Sequence, residues 1–440
     1  MERSTVTRTH RSAASRIFEE LAIAPQHGNL FHETARRMLH AAELVGLRHH
    51  QRLLLAEPRH ESIVHVPVEM DDGHHRLFKG YRVLHSNALG PFLGGTRFSP
   101  RLSLDAAKGH AILASLRAAL VRAPFGGAFG GVKVNPNELS QGELMRLVRR
   151  YTSVVSPQAS AGRDVLAPEM GTDIRTMAWV YDTLAQQAGG HDPARSVVGR
   201  PGELGGLGPR GRAVATGLVA VLEELLGDSM LELRTARVAI LGFGQVGAAV
   251  ARQLAMHGAR VTAVLSDGAA LYDSSGIDVL ALVAHRQRTG GIDGFEQATV
   301  VAERDFLEAP AEILVVCADD GALTAARAEA CRARVVVEAG SANVSAEAEE
   351  VLLRQGVEVI PDVLVVGAAD VANALEWRDV RNDPDFRKDA VESHIRRQLT
   401  LAARRVRVAR TRHECDLRTA ALCAALERLG RVHDLRGVFP

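Results

Sequence analysis

RVAILGFGQVGAAVARQLAMHGARVTAVLSDG (Arg237–Gly268) decides the fold. The apolar run Arg237–Leu241 predicts a strand, Ala248–His257 a helix and Arg260–Leu265 a second strand. The first strand and the helix are joined by G-x-G-x-x-G. In that pattern Gly242 permits the tight turn, Gly244 lets backbone approach a pyrophosphate, and Gly247 allows close helix–strand packing. Gln245 and Val246 then open the helix whose N-terminus faces the phosphates. Such a glycine pattern alone is a weak signal; flanked by strand, helix and strand in order, it is a strong one. The implied cofactor is NAD or NADP. A carboxylate at the end of the second strand would bind the ribose hydroxyls. Register puts Ser266 at that position with Asp267 after it, and a serine tolerates a 2′-phosphate, so the choice between the two stays open.

Downstream, strand-like runs at Ile313–Cys317, Arg334–Val337 and Val357–Ile360 alternate with helical segments, which predicts a parallel α/β unit. From Asp370 the chain turns helical and Arg-rich. Upstream, Asn29–Glu57 has helical spacing. Ser62–Met70 and Arg76–His85 form a hairpin signal across Asp71-Asp72-Gly73. Asp105–Leu120, Glu143–Val155, Met170–Gln187 and Val214–Leu226 read as helices, and the Gly- and Pro-rich stretch Gly189–Arg212 reads as a hinge. Between Arg117 and Pro136 lies GGAFGG (Gly126–Gly131), whose four glycines predict a bare turn against which a ligand can lie.

Composition bounds the function. A chain of 440 residues has room for two or three domains, and 46% hydrophobic with 24% charged residues is ordinary globular composition. A net charge of +1 argues against nucleic-acid and membrane partners. The four cysteines, Cys317, Cys331, Cys415 and Cys423, show no zinc spacing and read as reduced thiols of a cytoplasmic protein. No apolar run is long enough for a membrane helix. The start, MERSTVTRTHRSAAS, reads as a disordered tail rather than a transit peptide. The adjacent pairs His49-His50 and His74-His75 cannot face one metal, so no metal is expected; His110, one helical turn on from Ala106, either looks into the cleft or is a structural histidine, the second being favoured.

KGYRVLHSNALGPFLGGTRFSP (Lys79–Pro100), PFGGAFGGVKVNP, LAPEMGT (Leu166–Thr172) and ATG (Ala215–Gly217) resemble, in fixed order, the Glu/Leu/Phe/Val dehydrogenase family, its glutamate members above all. The resemblance runs from about Asn29 nearly to the end. It implies an α/β fold of two domains. A tail (1–28) would precede a substrate and oligomerisation domain (29–205), a Rossmann-type dinucleotide domain (206–368) and C-terminal helices (369–440) that return to the first domain. It also implies a hexamer, with Thr216 meeting the nicotinamide amide.

The departures fall on the reactive centre. The family activates water with a lysine in the glycine-rich stretch; here that place is Phe129, which has no lone pair and no proton to give. The aspartate of A-P-D-x-G-T is Glu169, either still a proton shuttle or a survivor without a task. The lysine for the substrate α-carboxylate corresponds to Arg117, either a bidentate anchor or an inter-helix arginine. Leu93 replaces the lysine that selects a γ-carboxylate, as in leucine-type members, and points to an apolar or aromatic substrate. In the C-terminal wall Val366 and Asn373 replace an asparagine and a serine, and the G-A-N sequence is read at Ala339-Gly340-Ser341. Three functions follow. The first is a reductase of an imine or keto group on an apolar carboxylate, with Glu169 as proton donor. The second is a silent regulatory homologue that binds an amino acid or nucleotide and partners an active subunit, as a homo-hexamer or hetero-oligomer. The third is a conventional Leu/Phe-type dehydrogenase, against which Phe129 argues.

Overall fold

The computed structural model describes residues 13–159, 163–187, 193–208, 210–227, 231–378 and 388–437. Helices α1 (Ala13–Glu20), α2 (Leu30–Leu44) and α3 (His49–Ala56) come first, followed by strands β1 (His60–Glu69), β2 (His75–Ser86) and β3 (Phe92–Phe98). Then come α4 (Leu104–Leu120), β4 (Gly126–Val132), α5 (Gln141–Ala159), β5 (Asp164–Pro168) and α6 (Ile174–Gln187). The strands form one sheet, β1-β2-β4-β3-β5, antiparallel through β4 and parallel beyond.

Three expectations change here. Part of the expected tail is α1, because Ile17 and Phe18 are buried in the core; residues 1–12 lie outside the described segments. The single helix read over Asn29–Glu57 is two, broken where Gly46 takes φ +71°. GGAFGG is no turn but the central strand β4. Its glycines answer to packing rather than flexibility. A Cβ on Gly127 would fall 2.3 Å from the Ser115 amide of α4, and one on Gly131 would fall 1.8 Å from the Arg97 carbonyl oxygen. Helix α4 is buried almost all round, because it lies between β4 on one side and α2 and α16 (Leu417–Arg436) on the other. Its N-terminus is capped by Ser103, whose Oγ accepts the Ala106 amide at 3.1 Å.

The second unit opens with α7 (Arg210–Leu226), β6 (Arg237–Leu241), α8 (Gln245–Met256), β7 (Arg260–Ser266), β8 (Ala269–Tyr272), α9 (Val279–Thr289) and β9 (Thr299–Val301). It continues through α10 (Glu303–Glu308), β10 (Ile313–Val316), α11 (Ala325–Ala330), β11 (Val335–Glu338), α12 (Ala346–Arg354), β12 (Glu358–Ile360) and α13 (Asp362–Val365). Helices α14 (Gly367–Trp377), α15 (Lys388–His413) and α16 complete the chain. The sheet order is β12-β11-β10-β6-β7-β8-β9, with β8 and β9 antiparallel at one edge. Chain order reverses between β6 and β10, so the loops after these two strands flank one crevice.

Of the C-terminal helices, α16 returns to α2 and α4, whereas α15 packs mainly on α7. Arg418 of α16 is buried against Glu338, Glu349 and Asp362 and ties that helix to the second sheet. Burial, only partly offset by Arg418, pushes the Glu338 carboxyl up to about 7. Of the expected hinge, residues 189–192 and 209 lie outside the described segments, and part of the rest is held against α14. The Arg200 and Leu207 amides and the Arg200 guanidinium all donate to the Glu376 carboxylate of α14, at 3.1–3.2 Å.

Candidate active site

The glycines of the dinucleotide turn each meet a separate steric demand. Gly242 has φ +93°, and a Cβ there would lie 2.6 Å from the Cys317 carbonyl oxygen. A Cβ on Gly247 would lie 2.0 Å from the Gly242 carbonyl oxygen, so helix α8 can approach β6 only with glycine at that place. Gly244, next to the start of α8, has nothing within 4 Å, which leaves an open face at a helix N-terminus, where a pyrophosphate fits. Helix α7 borders this turn: a Cβ on Gly211 would lie 2.9 Å from the Gln245 carbonyl oxygen. At the end of β7 the Ser266 hydroxyl donates to Asp267 Oδ2 at 2.9 Å. Thr216 is buried on α7.

The second cluster sits where the two units face each other. On β3, Leu93, Gly95 and Arg97 share one face, since alternate residues of a strand do. A Cβ on Gly95 would lie 2.6 Å from the Glu169 side chain and 3.3 Å from the Phe129 ring, which brings both to that face. Phe129 is buried. His110 of α4 stacks on it at a centroid distance of 4.5 Å, and the Arg97 guanidinium lies 5.2 Å from its ring centre. Arg97 donates Nε to Glu169 Oε2 at 2.6 Å, Nη2 to Oε1 at 3.1 Å, and Nη1 across the cleft to Asp320 Oδ2 at 2.7 Å. His110 Nε2 reaches the same Asp320 oxygen at 2.8 Å, while its Nδ1 is buried without a partner among the described residues.

These contacts set the charges. Burial alone would raise the Glu169 carboxyl, but Arg97, with Arg210 and His110 further off, holds it down to about 2. Asp320 is held below the ordinary carboxylate range in spite of burial by His110 and Arg97. Arg97, for its part, is raised by its two carboxylates against the pull of burial. Glu169 is therefore an ionised, engaged carboxylate at neutral pH.

The family resemblance expects a lysine at Phe129, and none of the three lysines whose side chains are described contacts its ring. The chain has four: Lys79, Lys108, Lys133 and Lys388. Lys79 lies over the Tyr81 ring, Lys108 is paired with Glu57 and Glu61, Lys133 is exposed, and Lys388 opens α15.

Toward α14 the cleft is basic. Arg117 of α4 donates Nη1 to Ser341 Oγ at 3.1 Å and faces Asp370 at 3.4 Å. Arg210, at the start of α7, donates Nη1 to the Pro168 carbonyl oxygen at 2.9 Å. Burial raises the Asp370 carboxyl, with Arg117 and Arg210 opposing. Val366 is buried at the α13–α14 junction, and Asn373 lies on α14, partly exposed.

The structure thus brings Phe129 and Glu169 together on the β3 face that Leu93 shares, whereas Leu93 itself is buried in the hydrophobic core and Arg117 lies with Ser341 and Asp370. Sequence reasoning missed Arg97, Asp320 and Arg210; of the two readings it gave His110, facing the cleft or structural, the structure supports the first. Arg97 stood inside the quoted GGTR motif, and Asp320 follows β10 at the switch of strand order, where a carboxylate was worth noting. Asn343, two residues past the place read for the G-A-N asparagine, is fully buried; it accepts from the Gly340 amide at 2.8 Å and donates to the Ala318 carbonyl oxygen. Among the described residues, no group of side chains could hold a metal ion and no helix is long and apolar enough to cross a membrane.

Comparison with known proteins agrees with this architecture. Residues 58–186 match the family profile of the Glu/Leu/Phe/Val dehydrogenase dimerisation domain, and residues 205–437 match that of the glutamate/leucine/phenylalanine/valine dehydrogenases. The chain is 34% identical over 415 residues to a glutamate dehydrogenase of Thermotoga maritima, covering 94% of this chain and 99% of that one. It is 36% identical over 390 residues to glutamate dehydrogenase A2 of Halobacterium salinarum, covering 88% and 93%. Among solved structures, a hetero-hexameric glutamate dehydrogenase from Thermus thermophilus in a leucine-bound form superposes with a TM-score of 0.89 at 36% identity, over 95% of this chain and 99% of that one. With a dinucleotide turn, a two-sheet architecture and both family profiles in agreement, this chain belongs to the Glu/Leu/Phe/Val dehydrogenase family of NAD(P)-dependent oxidoreductases.

Proposed function

We propose that this chain is a non-catalytic member of its family, which binds a dinucleotide and a small carboxylate with an apolar side chain and acts by assembling with an active, lysine-bearing homologue. The observation that carries this reading is the packing of Phe129 between His110 and Arg97, where the family resemblance places the catalytic lysine. Bound nicotinamide would supply hydride exchange, but hydrolysis of an iminium also needs a base to activate water. Phe129 has none, and Glu169 is committed to Arg97.

Leu93 on the cleft face of β3 favours an apolar ligand, and Arg117 is the anchor for its carboxylate. A carboxylate at Asp267, next to Ser266, favours NAD over NADP, because it repels a 2′-phosphate. Assembly is supported by the edge strand β1 and its neighbour β2, where Ile63 and Leu77 stand exposed at 50% and 63%. The similar Thermus protein is hetero-hexameric and binds leucine, which supports a mixed oligomer and an amino-acid ligand for this chain too.

The second reading, reduction of an imine or keto group, needs a proton donor. Glu169, ionised, no longer fills that role near neutral pH. His110, stacked on Phe129 with an Nδ1 that lacks a partner among the described residues, is the group that would.

Expression with a lysine-bearing homologue from the same cell, followed by native mass spectrometry, is expected to give mixed oligomers. The chain alone is expected to oxidise glutamate, leucine and phenylalanine roughly a hundred- to ten-thousand-fold more slowly than active members. Ordinary turnover by the isolated chain would overturn the proposal. NADH-dependent reduction of 2-oxo acids by the isolated chain would instead favour the second reading.

A further inference from the structure

Two aspartates reach across the crevice from the second unit. Asp319 and Asp320 follow β10 closely, where the order of strands reverses. Asp320 Oδ2 accepts from Arg97 Nη1 at 2.7 Å and lies 2.8 Å from His110 Nε2. Asp319 pairs with Arg101. Their three partners come from one short stretch of the first unit: the end of β3, the loop after it and the first half of α4. Arg97 and His110 are 7% and 1% exposed, and both lie against the Phe129 ring. The aspartates therefore hold the two side chains that cover the bay around Phe129.

The loop that carries these aspartates is tied to its own sheet. The Asn343 side-chain amide donates to the Ala318 and Asp319 carbonyl oxygens, and the Gly321 amide donates to the Ala342 carbonyl oxygen. Asn343 and Ala342 follow β11, so drawing the aspartates away from the first unit draws the second sheet with them.

The contact is also built to let go. When Asp320 leaves, Arg97 keeps both hydrogen bonds to Glu169 of its own unit, so no buried guanidinium is orphaned. Asp319 and Asp320 are 47% and 28% exposed, and water replaces their partners on separation. Arg418 makes the opposite kind of joint. Its carboxylate partners are at most 8% exposed, and breaking one of those pairs strands a buried charge.

We infer that the Asp319–Asp320 loop is a releasable clasp that shuts the crevice over the Phe129 bay, and that a molecule entering the bay from the crevice first breaks it. The inference does not depend on whether the bay catalyses a reaction. The loop starts beside the dinucleotide turn, since a Cβ on Gly242 would lie 2.6 Å from the Cys317 carbonyl oxygen. Seating of a dinucleotide on that turn and opening of the clasp are thereby coupled.

Histidine labelling by diethyl pyrocarbonate, read site by site by mass spectrometry on the full chain, tests the clasp. His110 sits beneath it. His85 is as deeply buried, but within the first unit, held by the Ser115 hydroxyl and the Leu55 carbonyl oxygen. Asp320→Asn is expected to speed labelling of His110 at least about tenfold, one charge-assisted hydrogen bond being worth roughly that factor, with His85 unchanged. Asp319→Asn leaves the contact between His110 and Asp320 in place. It is expected to act in the same direction by about two- to threefold, and it keeps the test open if Asp320→Asn does not fold. In stopped-flow mixing, both variants are expected to take up NADH faster than wild type.

Equal acceleration at His85 and His110 would overturn the inference, because the aspartates would then merely support the fold. Unchanged labelling of His110 in both variants would overturn it as well. So would acceleration confined to Asp320→Asn with NADH uptake unaltered, which would trace to the reactivity of the imidazole itself. If His110 is unmasked in both variants but NADH binds to none of the proteins, the clasp stands and the dinucleotide reading falls.

Discussion

The dinucleotide turn and the reactive bay lie on the same crevice, yet they have been treated in opposite ways. In the turn, each glycine satisfies a separate steric condition, and a single added methyl group violates it at Gly242 and Gly247. In the bay, an aromatic ring, Phe129, is packed against His110 and Arg97. The charges around that ring have turned toward each other: Arg97 and His110 of the first unit both clasp Asp320 of the second. The contrast teaches that binding and chemistry are separable in this fold. The first needs backbone shape, the second needs a few side chains with free lone pairs or protons, and selection on one leaves the other untouched.

The largest effect expected from breaking this contrast is at Gly247. Gly247→Ala drives a Cβ to 2.0 Å from a carbonyl oxygen, and overpacking of that kind costs about 1–3 kcal/mol. NADH affinity, followed by fluorescence titration, should fall by roughly ten- to a hundredfold, with a lower melting temperature. An unaltered affinity would mean that the turn is not the cofactor site.

Next is the acid limb of stability. The Glu169 carboxyl titrates at about 2 in the folded protein, below its ordinary value near 4.3. Such a depressed group stabilises the fold above its unfolded value, and that contribution is lost as pH falls through about 2. Chemical denaturation of wild type should weaken between about pH 4.5 and 2, by up to about 3 kcal/mol from this group. In Glu169→Gln this component of the slope should vanish; an identical slope in the two proteins would show that Arg97 does not hold Glu169 in solution.

Gly244 sharpens the comparison in the other direction. Because nothing lies within 4 Å of its missing side chain, Gly244→Ala should leave melting unchanged and weaken NADH binding alone, by roughly tenfold. A drop in stability instead would place the open face inside the fold rather than against a ligand. The smallest effect is expected from Phe129→Lys. The new amine would meet Arg97 and His110, with Glu169 still paired, so deamination should recover by less than about tenfold of the hundred- to ten-thousand-fold deficit. A larger gain, in the same steady-state assay, would show that the ring alone had silenced the bay.

The two regions also differed in how well they could be read. The turn was legible because its rules are local: period, glycine spacing and flanking strands lie within thirty-odd consecutive residues. That an aromatic ring stands at Phe129 could be read by position. What surrounds Phe129 could not, because His110 and Arg97 reach it from a helix and a neighbouring strand, and Asp320 of the second unit holds both. The stretch GGAFGG misled for a related reason. Four glycines look flexible in isolation, whereas here they are demanded by a helix and two strands pressing on one central strand.

By itself, then, the chain's order of residues determined the Rossmann unit, the membership of the family and the aromatic side chain at Phe129 of β4. All three depend on contacts or identities close together along the chain. Tertiary structure alone decided that Glu169 is an engaged anion and that Arg97 and His110 share Asp320 across the cleft. Those are properties of charges brought together from distant segments into a low-dielectric space, where position in three dimensions outweighs position in the chain.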